Sequence, residues 1–252
     1  HSQACIPWHT NDRVDRWHKV HDQIVWIPGP EPFDRMSPQK NSVTMPPGAC
    51  HDPGVLSAAV AGLPESGAAA CPFLDQQEID DLILLADSLA YRSARPVMGS
   101  GQSMVYQDFE LCYDIPPHHR LWDFARGVGR VLNRALTDCG VQVSGEPYIV
   151  NDLIVQRYPP GCRGITPHRD HVRYALVIAI ILLSGDGVFG VCEDRERRGE
   201  RTIQFLPGEL LLMGGTDLSE GFQRPFHFVN GVSQLRRTIG LRFDRQRQQE
   251  TG

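Results

Sequence analysis

The amino-acid sequence predicts an α+β fold, with supporting helices in the front half and a β core of two packed sheets, or a flattened barrel, in the back half. Two amphipathic helical patterns, over 75–91 and about 118–138, carry the first part of that expectation. From Tyr148 onward the chain changes to short strand-like segments punctuated by Gly- and Pro-bearing turns, which carries the second. At 252 residues with 41% hydrophobic content, the chain can bury one sizeable core with an extension.

In chain order, residues 1–72 read as an irregular N-terminal extension packed on the core, and 73–252 as the single functional domain. Trp8, Trp17, Trp26 and the segment 23–27 give the extension apolar anchors, while 46–72 is dense in Pro and Gly and suggests one short helix near 55–61. His18 and His21 stand three apart without a third ligand nearby, so they read as a solvated pair. Over 75–91, Asp75 and Glu78 make a capping box, and Ile79, Leu82, Ile83, Ala86 and Leu89 form one apolar stripe. The second helix buries Leu121, Phe124, Ala125, Val128, Val131, Leu132 and Leu136 and stops at Gly140. A strand at 103–113 lies between the two helices. The back half supplies candidate strands at 148–158, 174–183, 188–192, 201–205, 209–213, 225–229 and 236–243. That number of short strands fits a jelly-roll. The charge run DRERRGER over 194–201 reads as a solvated hairpin tip.

Composition narrows the function. A formal net charge of -5 argues against a strongly basic nucleic-acid binder, although the part from Asp152 onward is mildly basic and the front acidic. Seven scattered cysteines, odd in number and without a CxxC pair, argue against a disulfide framework or structural zinc and for a reducing, cytoplasmic setting. The longest apolar run, 175–183, suits a buried strand and is too short to span a bilayer, so no membrane partner is expected.

The chemistry concentrates in 158–170, YPPGCRGITPHRD. In an extended segment His168 and Asp170 share one face and Arg169 takes the other, so an imidazole and a carboxylate can reach one ion. His227, in RPFHFVNGV, is the candidate third ligand of a two-histidine, one-carboxylate set that leaves positions on iron(II) open. Downstream, LRRTIGLRFDR reads as a strand with Arg236, Thr238, Gly240 and Arg242 on one side and Arg237, Ile239, Leu241 and Phe243 on the other. With the apolar side packed beneath, two guanidinium groups face whatever the sheet encloses. No acid shares their face within 236–243, so an anionic ligand such as a 2-oxo acid is their expected partner.

The order His168-x-Asp170, His227, Arg236-x-Thr238 resembles the iron(II)- and 2-oxoglutarate-dependent dioxygenases, over roughly 152–245. Within that superfamily it is most similar to AlkB-type enzymes, which have a tyrosine and glycine before the His-x-Asp, here Tyr158 and Gly161, and a second arginine six beyond the first, here Arg242. Gln156 stands where those enzymes have asparagine, and the tyrosine-to-histidine segment is one residue longer than theirs. The resemblance implies a double-stranded β-helix, with His168, Asp170 and His227 holding Fe(II). It gives Arg236 the far carboxylate of 2-oxoglutarate, Arg242 the end nearer the metal and Tyr158 a hydroxyl contact, with Thr238 and Gln156 alongside and O2 as second co-substrate. A small-molecule substrate undergoing C–H oxidation is the leading expectation. A nucleic-acid demethylase, drawing on Tyr106, Phe109 and Tyr113 for base stacking, is the second reading, and a non-enzymatic jelly-roll binding module the third.

Overall fold

The computed structural model describes residues 17–20, 23–26, 52–141 and 147–250. The chain divides into two compact units, His1–Asn41 and Ser42–Gly252. In the first, β1 (Trp17–Val20) and β2 (Gln23–Trp26) pair as an antiparallel hairpin. The side chains expected to anchor it, Trp8, Trp17 and Trp26, and the pair His18 and His21, lie outside the described residues.

The second unit opens with α1 (Pro53–Ser66). The Asp52 side chain accepts from the Gly54 amide, Pro53 occupies the first turn, and Gly67, at φ 73°, closes the helix. It is longer than the short helix expected there. β3 (Ala68–Pro72) follows as a sheet strand where an irregular connection was expected. Its sequence, AAACP, has no apolar–polar alternation to announce it, because both its faces are partly covered. Next comes α2 (Gln76–Asp87), whose capping box is present as expected: Asp75 accepts from the Glu78 amide at 2.8 Å and Glu78 from the Asp75 amide at 2.9 Å.

Four short strands follow: β4 (Arg92–Ser93), β5 (Val97–Met98), β6 (Val105–Asp108) and β7 (Glu110–Cys112). The single strand expected over 103–113 is thus two, and they belong to different sheets. The break falls at Phe109, which is buried and stacks on Tyr158 at 4.8 Å, so the chain crosses between sheets there. α3 (Arg120–Asp138) buries Leu121, Phe124, Ala125, Val128, Leu132 and Leu136 as its periodicity requires.

The β-rich half comprises β8 (Asp152–Tyr158), β9 (Gly164–His168), β10 (Tyr174–Ser184), β11 (Val188–Cys192), β12 (Arg201–Ile203), β13 (Glu209–Gly214), β14 (Phe226–Asn230) and β15 (Arg236–Asp244), and a short α4 (Arg245–Glu250) ends it. One antiparallel sheet has the order β3-β13-β10-β15-β8-β7-β4, the other β12-β11-β14-β9-β6-β5. From β8 onward, apart from the β11–β12 hairpin, each strand passes to the opposite sheet.

The seven-stranded sheet has two different apolar faces. Val177, Ala179, Ile181, Ile239, Leu241 and Phe243 pack with the helices, whereas Ile178, Leu182, Leu211 and Met213 pack with Phe189, Val191, Ile165 and Val229 of the six-stranded sheet. That period of two is the pattern seen in the sequence of β15, and it leaves Arg236, Thr238, Gly240 and Arg242 facing the space between the sheets.

Candidate metal and co-substrate site

The register of β8 against β15 sets one wall of the site. Tyr158 pairs with Arg236, Gln156 with Thr238, Ile154 with Gly240 and Asp152 with Arg242. Four cross-strand pairs therefore line up on the inner face, from Arg236 at one end to Arg242 at the other. At about 3.3 Å per residue, six steps put these two backbone positions about 20 Å apart. Gly240 sits in mid-ladder for a steric reason: a Cβ there would lie 2.7 Å from Ile154 Cγ2. Gln156, Tyr158, Gly240, Arg242, His168, Asp170 and His227 line the same cavity.

The opposite wall brings together the three residues that could hold a metal ion. His168 ends β9 and is the register partner of His227 on β14, which brings the two rings to a centroid distance of 4.1 Å. Asp170 lies just past the end of β9, with Oδ1 3.7 Å from His168 Nε2 and 3.8 Å from His227 Nε2. One donor atom from each of the three residues lies within 4.8 Å of the others. The His168 ring is oriented by its Nδ1, which donates to the Thr166 carbonyl at 3.0 Å and so leaves the Nε2 lone pair for a metal. Phe189 stacks on the His227 ring at 5.8 Å.

Electrostatics put all three in their ligating forms. Burial, reinforced by His168, lowers the His227 pKa to about 3, and burial also lowers that of His168, so both imidazoles are neutral near pH 7. Burial pushes the Asp170 carboxyl up, but His227, Arg242 and His168 outweigh it and hold it below the usual carboxylate range. Two neutral nitrogens and one carboxylate suit a divalent transition metal with open positions.

The two arginines differ in their partners. Arg242 is already engaged: Nε donates to Asp152 at 2.9 Å, Nη2 donates to the Tyr113 hydroxyl at 2.8 Å, and Nη1 lies 4.0 Å from Asp170. Burial opposes its charge, but Tyr113, Asp152 and Asp170 raise its pKa. Arg236 is only 1% exposed, has no acidic side chain within 4 Å among the described residues, and leaves Nε without a hydrogen-bond acceptor. Its one acceptor is the Asp186 carbonyl, 3.0 Å from Nη1. Burial accordingly lowers its pKa. Tyr158, beside it, is pushed up by burial and stays a neutral hydroxyl. A buried, incompletely satisfied guanidinium next to a phenol is a cradle for an anion. Thr238 does not present a free hydroxyl, since Oγ1 donates to Gln156 Oε1 at 3.3 Å.

The sequence pattern of β15 did not reveal Asp152, Tyr113, Arg195 or Arg224. Asp152 was detectable only through strand register. Arg224 Nη1 donates to the Asp170 carbonyl at 2.6 Å, and Arg195 Nη1 donates to the Pro167 carbonyl at 3.1 Å, so the charge run expected to be a solvated tip reaches back to the site. Asp152 is fully buried and faces Arg242, Arg247 and Tyr174. Asp152→Asn is expected to destabilise the fold by roughly 3–5 kcal/mol by leaving Arg242 uncompensated, as read by chemical denaturation.

No family model and no curated protein sequence matches this chain. Solved structures do. An oxidoreductase of the 2OG-Fe(II) oxygenase family from Burkholderia pseudomallei matches with a TM-score of 0.56 at 16% identity, covering 75% of this chain and 91% of that one. A prolyl hydroxylase from Trichoplax adhaerens, in complex with a hypoxia inducible factor oxygen degradation domain peptide, matches at 0.57 and 14%, covering 79% and 93%. A Pseudomonas putida prolyl-4-hydroxylase matches at 0.54 and 17%, covering 75% and 98%. The chain therefore has the fold found in 2-oxoglutarate- and iron(II)-dependent oxygenases, with two histidines and an aspartate gathered between its sheets.

Proposed function

We propose that this chain is an iron(II)- and 2-oxoglutarate-dependent dioxygenase that oxidises a C–H bond of a small-molecule substrate. The observation that carries the reading is Arg236, a buried guanidinium without a carboxylate, at the far end of a ladder whose near end touches the His168, Asp170 and His227 cluster. The exchange of strands between sheets from β8 onward supports a double-stranded β-helix. The pairing of Tyr158 with Arg236, and of Arg242 six residues on with the metal end, favours the AlkB-type arrangement within it.

In this reading His168, Asp170 and His227 hold the metal. Arg236 and the Tyr158 hydroxyl bind the distal carboxylate of 2-oxoglutarate, with Gln156, fixed by Thr238, beside them. Arg242, clamped by Asp152 and Tyr113, holds its positive charge against Asp170 and the metal end of the co-substrate. Iron(II), 2-oxoglutarate and O2, when bound, supply an oxidative decarboxylation that yields succinate and CO2 and oxidises the substrate. The chain's own part is to orient these groups and to keep water out, with Ile178, Ile180, Phe189 and Val229 lining the cavity. Hydroxylation, demethylation through hydroxylation, and an oxidative ring or desaturation step are each compatible with the site. The cysteines Cys71, Cys112, Cys139, Cys162 and Cys192 are free thiols, which supports a reducing compartment such as the cytoplasm. No described helix is long and apolar enough to cross a membrane.

The test is anaerobic titration with iron(II) and 2-oxoglutarate. A metal-to-ligand charge-transfer band is expected, His168→Ala should remove it, and succinate release should accompany turnover in air. Absence of the band together with absence of succinate would sink the reading.

A further inference from the structure

Beside the His168, Asp170 and His227 cluster stand three arginines, Arg169, Arg195 and Arg224, that make no ion pair among the described residues. Arg169 alternates with His168 and Asp170 and so points outward, where it is exposed. Its guanidinium lies 4.2 Å from the centroid of the Phe226 ring, and that of Arg195 lies 5.4 Å from the same ring. Arg224 shares with Arg169 a cleft also lined by Asp170 and His227. Among the described residues none of the three has an acidic side chain within 4 Å, and the nearby acids are taken: Asp194 pairs with Arg198 and Glu200 with Arg197.

The cluster is also fixed in place. Arg195 donates to the carbonyls of Met104 and Pro167 at 3.2 and 3.1 Å, Arg224 donates to that of Asp170, and Arg169 rests on the Phe226 face without any polar acceptor among the described residues. Three guanidiniums with spare N–H donors, next to the His168, Asp170 and His227 cluster, offer the donor set of an anion receptor.

We infer that Arg169, Arg195 and Arg224 bind an oxyanion carried by the substrate, a carboxylate, sulfate or phosphate monoester on a small molecule. Such contacts would place a neighbouring carbon at the metal. The assignment to substrate rests on the dioxygenase reading above, whereas the anion receptor itself does not. Co-substrate is excluded as the occupant because its arginine, Arg236, is enclosed between the sheets while Arg169 faces solvent. A nucleic-acid backbone would require a row of cations rather than a group of three, and the chain's net charge is -5.

The 252-residue chain, with 2-oxoglutarate present, should be titrated with inorganic sulfate by calorimetry, at ionic strength held constant with chloride. Saturable binding of one sulfate is expected, weakened about tenfold or more in Arg169→Gln and largely retained in Arg169→Lys. Arg169 has no polar partner, so its replacement leaves no buried group stranded. No saturable binding, equal binding by Arg169→Gln, or preference for a methylated oligonucleotide with steep salt dependence would each overturn the inference. The charge-transfer band of the unmodified chain reads the dioxygenase assignment separately. Arg169-dependent sulfate binding without the band keeps the receptor and removes its link to oxidation; the band without sulfate binding does the reverse.

Discussion

Asp170→Ala is expected to weaken iron(II) binding at least about 100-fold and to abolish the charge-transfer band, with little change in thermal stability. The carboxylate is the only anionic member of the cluster, with both imidazole Nε2 atoms 3.7–3.8 Å from its Oδ1. Removing it leaves two neutral nitrogens facing an Arg242 cation whose Nη1 lies 4.0 Å from Asp170. That cation would then repel a divalent ion across a poorly solvated cavity instead of being balanced by the carboxylate. Losing a directly ligating carboxylate exceeds the 10–100-fold typical of outer-shell changes. The fold should survive, because Arg242 keeps Asp152 and Tyr113 as partners. Equilibrium titration with iron(II) under anaerobic conditions, alongside a thermal melt, checks both halves. Retention of affinity within threefold would show that the ion, if any, is held elsewhere.

Much of this site is visible in the sequence because strands translate spacing into direction. The alternation in RRTIGLRFD put Arg236, Thr238 and Arg242 on one face, and the structure places that face toward the space between the sheets. His168 and Asp170 were assigned to one face by the same argument and do converge, although the strand ends at His168 and Asp170 lies beyond it. Pairings set by register were not visible. Nothing local marks Asp152 as the partner of Arg242, ninety residues away, or ranks it above other acids. Arg195 lay hidden in a run whose composition suits a solvated turn, since charge patterning describes solubility and not the direction in which a loop folds back. β3 was illegible for the opposite reason: small residues with two partly covered faces carry no periodic signal, and only the exposed edge of β13 gives them a role.

Arg236→Met should change co-substrate affinity and stability in opposite directions. In the folded chain the guanidinium is 1% exposed, its Nε has no acceptor, and among the described residues its one hydrogen bond is to the Asp186 carbonyl, with the Phe205 ring 5.5 Å away. Holding a charge there without a counter-ion costs more than one charge-assisted hydrogen bond returns, and burial already lowers its pKa. Met has comparable length and no charge, so in the absence of 2-oxoglutarate the variant should be more stable, by roughly 1–4 kcal/mol on the scale seen when buried ionic groups give way to apolar ones. With 2-oxoglutarate the sign reverses. The distal carboxylate would enter the cavity with only the Tyr158 hydroxyl to receive it, and the loss of about 2–5 kcal/mol corresponds to an affinity lower by roughly 30-fold to several thousand-fold. Arg236→Lys should fall between, because an ammonium restores charge but not the two-pronged contact. Denaturation midpoints with and without 2-oxoglutarate, together with its dissociation constant from the charge-transfer titration, give both quantities on one protein. A variant that lost stability without the co-substrate would mean that Arg236 supports the fold, and unchanged affinity would mean that the distal carboxylate lies elsewhere. The expected crossing of the two curves identifies a residue kept at the expense of the empty protein for the sake of the ligand.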